Sequence, residues 1–128
     1  MNERYDRGLA ILRKHFGREK ADEYIGKIRD ISPGFADINV SFPFGDLYNR
    51  TTLDQKTREL LAIAALTCLG APHDQLKVHA AGAINCGASK EEVYEVIIQM
   101  IAYAGFPYAT NALFAANEGI DSLDGTPD

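Results

Sequence analysis

The chain of 128 residues has only two cysteines, and their positions match no pairing motif. Cys68 and Cys86 lie in separate apolar segments without C-x-x-C spacing, so a disulfide framework, a zinc knuckle and a vicinal dithiol have no support. Because free cysteine is among the most buried residue types, we expect both to be reduced thiols in the core.

An excess of positive charge is also absent: 13 Lys and Arg stand against 18 Asp and Glu, a formal net charge of −5. We therefore expect no nucleic-acid partner and no membrane partner. The charged N-terminus is followed by no apolar region, so we expect no secretory signal. The longest apolar run, residues 60–66, is far shorter than the roughly 20 residues that cross a bilayer. A soluble, cytoplasmic protein is the expectation.

The pattern of apolar residues is helical. Strand-like alternation is nearly absent, and Pro and Gly divide the chain into segments of helical length. The length and the 46% hydrophobic composition suit one packed domain. We predict an all-α bundle of six or seven helices with a frayed polar tail from Asp121. The predicted helices cover about residues 3–15, 19–31, 33–42, 54–69, 73–85, 89–104 and 107–118.

Local signals predict where these helices begin and end. The clearest start is the capping box of Ser89 and Glu92, which precedes apolar residues at helical spacing. Pro43 and Gly45 are expected to interrupt the third helix, and Gly105 is expected to separate the last two.

The predicted helix over 54–69 is unusual because residues 60–66 are apolar on every face, so it must be surrounded. The Ala-rich faces of 73–85 and 107–118 also need more cover than a chain of this size provides. We therefore expect a homo-oligomer, since obligate interfaces resemble a core cut in half.

The three histidines differ in setting. His15 closes the first helix, where a cation is favoured by the helix dipole, and His73 at a helix start is expected to be solvated. His79 lies mid-helix in a segment that otherwise packs. A buried imidazole needs hydrogen-bond partners, so His79 is either a satisfied core histidine or a functional one.

Glu59 favours the functional interpretation, because it directly precedes the apolar run and buried carboxylates are rare unless paired. A carboxylate and an imidazole together make a general acid that works near neutral pH. The alternative is a salt bridge from Glu59 to Arg58 or Lys56 at the edge of the core. Gln75 lies one turn before His79 on the same helix face and can hydrogen-bond beside it.

Other known catalytic and cofactor-binding motifs are absent from the sequence. The sequence has no G-x-G-x-x-G, P-loop, H-E-x-x-H or G-x-S-x-G motif. His73 and His79 are six residues apart, which does not suit two ligands on one helix face, so we expect no metal. Asn111 is a polar group in an apolar helix, where it serves either a structural hydrogen bond or a site.

Several motifs in one order resemble the carboxymuconolactone decarboxylase family over about residues 30–118, which we take as the core of a single domain. The stretches that carry the resemblance are Thr57-Arg58-Glu59-Leu60-Leu61, Gln75-Leu76-Lys77-Val78-His79-Ala80, Asn85-Cys86-Gly87-Ala88-Ser89-Lys90-Glu91-Glu92, Tyr103-Ala104-Gly105-Phe106-Pro107 and Asn111-Ala112. The resemblance implies an all-helical fold in homo-oligomers, commonly hexamers built as trimers of dimers.

The resemblance also implies one of two chemistries. The alkylhydroperoxidase branch uses a C-x-x-C-x-x-x-H motif, and the matching cysteine positions here are Pro72 and Gln75. Because neither residue forms a thiolate, a peroxidase acting by that route is not expected. A thiol oxidoreductase that uses Cys68 or Cys86 remains an alternative, and so does a non-catalytic oligomer that binds a small ligand.

The decarboxylase branch needs no thiol, and by resemblance we expect no cofactor. Loss of CO2 from a carboxylated unsaturated lactone leaves an enolate, which needs an oxyanion donor and a proton. The resemblance favours His79 as general acid or oxyanion donor, Glu59 as its orienting partner and Gln75 as a donor to substrate. Arg58 or Lys77 is expected to hold a carboxylate. The remaining expected site residues are Tyr103, Asn111 and, as an apolar wall, Phe42, Phe44 and Tyr48.

Overall fold

The computed structural model describes residues 2–124, and every regular element in that range is helical, which confirms the all-α prediction. The six α-helices are α1 (Glu3–Phe16), α2 (Arg18–Ile31), α3 (Pro33–Asn39), α4 (Gln55–Cys68), α5 (His73–Asn85) and α6 (Lys90–Asp124), and a π-helix (Val40–Leu47) follows α3. The chain forms two compact units, one ending at Asp54 and the other beginning at Gln55. Each unit has its own hydrophobic core.

The first unit depends on close packing of α1 against the π-helix. Gly8 in α1 and Gly45 in the π-helix face the opposite backbone, and a Cβ at either position would collide with a carbonyl group. Arg4 and Asp46 add a two-pronged contact between the same elements, with nitrogen–oxygen distances of 3.0 and 2.7 Å. The two glycines are therefore required by backbone contact.

The predicted interruption at Pro43 and Gly45 is wrong, because the chain continues through both as a π-helix. The wider hydrogen-bonding pattern appears at its end, where the amide of Tyr48 donates to the carbonyl of Pro43 at 2.8 Å, five residues back. Gly45 serves the contact with α1 and does not end the helix.

His15 closes α1, but its side chain is completely buried in the first unit. The rings of Phe16, Phe44 and Tyr48 surround it, with centroid distances of 5.9, 6.2 and 5.5 Å. The helix-dipole interpretation of His15 therefore missed its main environment, which is an aromatic cluster built largely by distant residues.

In the second unit, α4 packs against the first part of α6, and α5 packs against its last part. Nζ of Lys56 in α4 lies 3.1 Å from Oε2 of Glu92 at the start of α6. Nζ of Lys77 in α5 lies 3.4 Å from Oε1 of Glu118 near the other end. Ile63, Leu76 and the small side chains between the helices form the core.

Local caps fix the ends of these helices. The predicted capping box is present: the amide of Glu92 donates to Oγ of Ser89 at 3.0 Å, and the amide of Ser89 donates to Oε1 of Glu92 at 2.9 Å. Gly70 and Gly87 follow α4 and α5 with φ of 110° and 102°. Each lies in a Schellman motif, because the next amide donates to a carbonyl five residues back.

Helix α6 bends where a break is predicted and extends further than predicted. Gly105 has φ 83° and ψ 167°, so the two predicted helices meet there at a kink. The second part continues to Asp124, and the frayed tail predicted from Asp121 is therefore helical over its first residues. Residues 125–128 of that tail lie outside the described range.

The apolar run of α4 is only partly enclosed by its own chain. Ile63 is completely buried, whereas Leu61 is 52% exposed and Leu69, just past the helix, is 77% exposed. Complete cover of this helix and of its end would bury all three side chains. Separately, no helix within residues 2–124 combines the length and apolar character needed to span a membrane.

Candidate active site

A glutamate of α4 and a histidine of α5 are in direct contact in the second unit. Oε1 of Glu59 lies 2.7 Å from Nδ1 of His79. The Glu59 side chain has no exposed surface, and 15% of the His79 side chain is exposed. The structure therefore brings the two residues together, with a small part of the imidazole open to solvent.

Helical spacing carries Glu59 into the core. It shares one face of α4 with Ile63 and Thr67, and all three are fully buried. The burial of Thr67 was not predicted, although its spacing of four residues from Ile63 indicates the same helix face. The Thr67 hydroxyl donates to the Ile63 carbonyl at 2.8 Å. Of the two alternative salt-bridge partners of Glu59, Lys56 contacts Glu92, and the alternative of Arg58 stays a prediction.

The contact orients the imidazole. An ionised carboxylate only accepts hydrogen bonds, so beside ionised Glu59 the Nδ1 atom of His79 carries a proton and donates it. Nε2, on the other side of the ring, then accepts in the neutral ring and donates in the protonated ring. Because Glu59 is excluded from water, solvent does not compete for this contact. The pair has the chemistry of an oriented general acid or base.

Gln75 and Arg58 lie next to the pair along their helices. Gln75 is one turn before His79 on the same face of α5, and Arg58 directly precedes Glu59 in α4. Both side chains are partly buried. Their contact with the pair and with a substrate stays a prediction.

Lys77 is directed toward α6. Its Nζ is 3.4 Å from Oε1 of Glu118, and Oε2 of the same carboxylate is 2.8 Å from Nε2 of His73. Two residues along a helix place Lys77 on a different side of α5 from His79. Lys77 therefore already holds a carboxylate of the protein itself, and His73 is half exposed in the same surface cluster.

Tyr103 and Asn111 are both exposed on α6. Tyr103 lies three residues after Met100 in α6. Sδ of Met100 is 3.6 Å from Sγ of Cys68, at the end of α4. Cys68 is nine residues beyond Glu59, about 13 Å along the helix axis. Tyr103 therefore lies toward the Cys68 end of α4, and a site role for Tyr103 or Asn111 stays a prediction.

Phe44 and Tyr48 belong to the aromatic cluster of the first unit. Their ring centroids are 5.0 Å apart, and both rings contact His15. Phe44 is only 7% exposed, whereas Phe42 is 52% exposed. Packing within the first unit accounts for Phe44, and a role for any of these rings as a substrate wall stays a prediction.

The cysteines have different surroundings. Cys68 is exposed at the end of α4, so the prediction of a core thiol is wrong for this residue. Cys86 is partly buried and is the C-cap residue of α5. Both are free thiols, and each belongs to a helix end rather than to the face that carries Glu59 and His79.

Comparison with known proteins identifies the family. The model of the carboxymuconolactone decarboxylase family matches residues 33–118, and the chain belongs to this family. It is 29% identical over 126 residues to the 4-carboxymuconolactone decarboxylase of Acinetobacter baylyi, covering 98% of this chain and 93% of that protein. It is 23% identical over 119 residues to the nitrosuccinic acid decarboxylase of Metarhizium robertsii, covering 93% and 82%.

A third relative carries no activity in its name. An uncharacterised 15.0 kDa protein of Paracoccus denitrificans is 44% identical over 71 residues, which are 55% of this chain and 53% of that protein. The resemblance in the sequence motifs is therefore confirmed at the level of the family, and the two relatives with named activities are both decarboxylases.

Proposed function

We propose that this protein is a cofactor-independent carboxy-lyase that removes CO2 from a small carboxylated lactone similar to 4-carboxymuconolactone. The observation that carries the proposal is the 2.7 Å contact between His79 and the fully buried Glu59. The names of the two decarboxylase relatives support the reaction class. Both named substrates place the carboxylate in a molecule with an electron-withdrawing group, a lactone in one and a nitro group in the other.

The reaction requires an electron sink and a proton. The bond between the substrate carbon and its carboxylate breaks, CO2 leaves, and the electron pair moves through the unsaturated lactone onto its carbonyl oxygen. His79 stabilises that oxyanion through Nε2 and then delivers the proton to carbon, as a general acid held by Glu59. The enolate collapses to the lactone as the proton arrives. Glu59 accepts the hydrogen bond from Nδ1 and orients the ring.

Substrate binding is assigned to residues beside the pair. Gln75 donates to the lactone, and Arg58 holds the substrate carboxylate as a charge-assisted contact. The proposal does not use Lys77, because it is engaged with Glu118. It also does not use Tyr103 and Asn111, which are exposed on α6.

The assembly and location are part of the same proposal. We infer a cytoplasmic homo-oligomer, a hexamer made as a trimer of dimers by resemblance to the family. The exposed side chains of Leu61 in α4 and Leu69 just past it support self-association, because a second copy would cover them.

The proposal is tested by turnover of 4-carboxymuconolactone, followed as release of CO2. His79→Gln keeps the size of the side chain and is expected to lower kcat about 100-fold or more, since it removes the general acid. His73→Gln is the matched control, because His73 also contacts a glutamate but lies on the surface, and it should retain wild-type turnover. A wild-type protein inactive on both the lactone and nitrosuccinate, or a fully active His79→Gln variant, would contradict the proposal.

A further inference from the structure

Gly119 lies in the last part of α6, at a point where this helix meets the backbone of α5. Its position is buried, and a Cβ there would collide with the carbonyl oxygen of Lys77 and lie 2.9 Å from the carbonyl carbon of that residue. Carbon atoms in good contact are about 3.5–4.0 Å apart. Both atoms belong to the backbone of α5, so no side chain can turn aside, and the helix itself would have to move.

This backbone contact explains why glycine stands at position 119. Helix α6 departs from helical dihedral angles at Gly105 and not at Gly119, so the conformation does not require glycine there. Inside a helix, glycine is less favourable than alanine. The core of the second unit also contains fully buried alanines from the same two helices, which have no rotamers with which to make room: Ala80 and Ala83 in α5, and Ala112, Ala115 and Ala116 in α6.

The contact with Gly119 is close to the active-site histidine along α5. His79 lies two residues after Lys77, about 200° further round the helix. One side of α5 therefore meets α6, and another side carries the imidazole whose Nδ1 is 2.7 Å from Oε1 of Glu59. Glu59 belongs to α4, which packs against the first part of α6 and not its last part. A displacement that starts at Gly119 would therefore change the distance between the imidazole and the carboxylate.

We propose that Gly119 is a positioning residue for His79: the absence of a side chain at Gly119 sets how closely α5 approaches α6 and, through α5, how far His79 lies from Glu59. This role rests on the proposed function, in which Glu59 orients the general acid. A Cβ at position 119 requires a shift on the order of 1 Å. Such a shift takes a contact of 2.7 Å beyond the roughly 3.2 Å limit of a hydrogen bond.

The surface contacts of Glu118 do not account for the position of α5. The carboxylate of Glu118 contacts His73 and Lys77, and these three side chains are 39–54% exposed. Exposed ion pairs contribute little, whereas a collision between buried backbones is relieved only by moving a helix. Glu118→Gln is therefore a matched control one residue away, because it removes the charge from the surface contacts and leaves the backbone contact of Gly119 in place.

The first test follows the ring nitrogens of His79 by NMR of protein labelled with ¹⁵N-histidine, in the wild type, Gly119→Ala and Glu118→Gln. The chain has three histidines, and His79→Gln identifies the signals by their absence. In the wild type, Nδ1 should carry the proton that faces Glu59. Gly119→Ala should shift the proton toward Nε2, and Glu118→Gln should keep the wild-type signals of His79.

The second test is turnover of 4-carboxymuconolactone by the same variants. Gly119→Ala should lose about 10- to 100-fold in kcat, since a misplacement of about 1 Å is costly for a catalytic group. The change in KM should be smaller, because Arg58 belongs to α4. Gly8→Ala is the control for lost stability, because a Cβ at Gly8 also meets a backbone carbonyl, but in the first unit. It should leave the His79 signals unchanged.

Wild-type His79 signals or a wild-type kcat in Gly119→Ala would overturn the proposal. An equal change of the His79 signals in Gly8→Ala would do the same, because it would trace the effect to lower stability. If the wild type does not turn over the lactone, the proposed function fails, and the ¹⁵N signals alone decide the positioning role. A Gly119→Ala variant that does not fold in buffer is measured in sucrose, which favours the folded state. A variant that stays unfolded there also overturns the proposal, because Gly119 then serves stability.

Discussion

Nδ1 of His79 lies 2.7 Å from Oε1 of Glu59, and the glutamate side chain has no contact with solvent. Removing a charge from water costs free energy, and an imidazole with a small exposed part contacts the carboxylate here. Such an arrangement is not the most stable way to fill the core between α4 and α5. It is, however, suited to holding one ring nitrogen while the other exchanges a proton.

Glu59→Gln should separate stability from activity. The amide keeps the shape of the side chain but removes the buried charge, so the melting temperature should remain unchanged or rise. Decarboxylation of 4-carboxymuconolactone should fall about 10- to 100-fold in kcat, as found when an orienting partner of a functional histidine is removed. Thermal unfolding and steady-state kinetics measure the two effects.

Glu118→Gln is the control for that substitution, because Glu118 also contacts a histidine but on an exposed surface. It should leave kcat within about twofold of the wild type, since an exposed pair contributes little. A Glu59→Gln variant with full kcat would show that the buried pair has only a structural role.

Substitution of Arg58 and of Lys77 should show which of these two cations binds the substrate carboxylate. Arg58→Gln should raise KM about 10- to 100-fold with a smaller change in kcat, since a charged hydrogen bond is worth about 1.5–3 kcal/mol. Lys77→Gln should change KM little, because this lysine is directed to Glu118. A larger KM effect from Lys77→Gln than from Arg58→Gln would reverse the assignment.

The sequence predicts those parts of the fold that local chemistry decides. The capping box of Ser89 and Glu92 predicts the start of α6, and Gly105 predicts the place of its kink. A buried carboxylate needs a partner, which indicates the contact between Glu59 and His79 before any coordinates are known. The capping box is read from spacing along one helix, whereas the pairing of Glu59 with His79 joins two helices and rests on the cost of burying a lone carboxylate.

The parts that the sequence did not predict depend on contacts between distant segments. The sequence shows His15 only as a residue at a helix end. Its contacts with the rings of Phe44 and Tyr48 depend on how the π-helix packs against α1. In the sequence, Lys77 is a candidate to bind substrate; in the structure, the face of α5 that carries it points toward Glu118 in α6. Gly45 resembles a helix breaker because its partner, the backbone of α1, is some 40 residues away in the sequence. Periodicity does not contain this information.

Glu92 predicts how stability changes with pH. Hydrogen bonding from the Ser89 backbone, followed by Lys56, lowers the pKa of Glu92 below its ordinary value of 4.5. A depressed folded pKa means that Glu92 stabilises the fold above pH 4.5 and loses this effect as the pH falls through the folded value. Glu92→Gln should therefore melt below the wild type at neutral pH, and the difference should shrink under acidic conditions.

Thermal unfolding at several pH values measures that difference, with Glu91→Gln as the control in the same helical turn. Glu91→Gln removes a carboxylate near the helix start without disturbing the contacts of Ser89 and Lys56. Its melting temperature should stay closer to that of the wild type. A gap between wild type and Glu92→Gln that stays constant or widens as the pH falls would contradict the assignment.

Two glycines of the first unit should respond in opposite directions to the same substitution. In Gly8→Ala the new Cβ would collide with the carbonyl group of Val40, so α1 and the π-helix must move apart, at a cost of about 1–3 kcal/mol in the free energy of unfolding. In Gly26→Ala the Cβ meets nothing within 4 Å, and alanine should stabilise α2 by about 0.5–1 kcal/mol. Urea unfolding measures both. A Gly8→Ala variant as stable as the wild type would contradict the prediction that close contact between the backbones of α1 and the π-helix constrains the first unit.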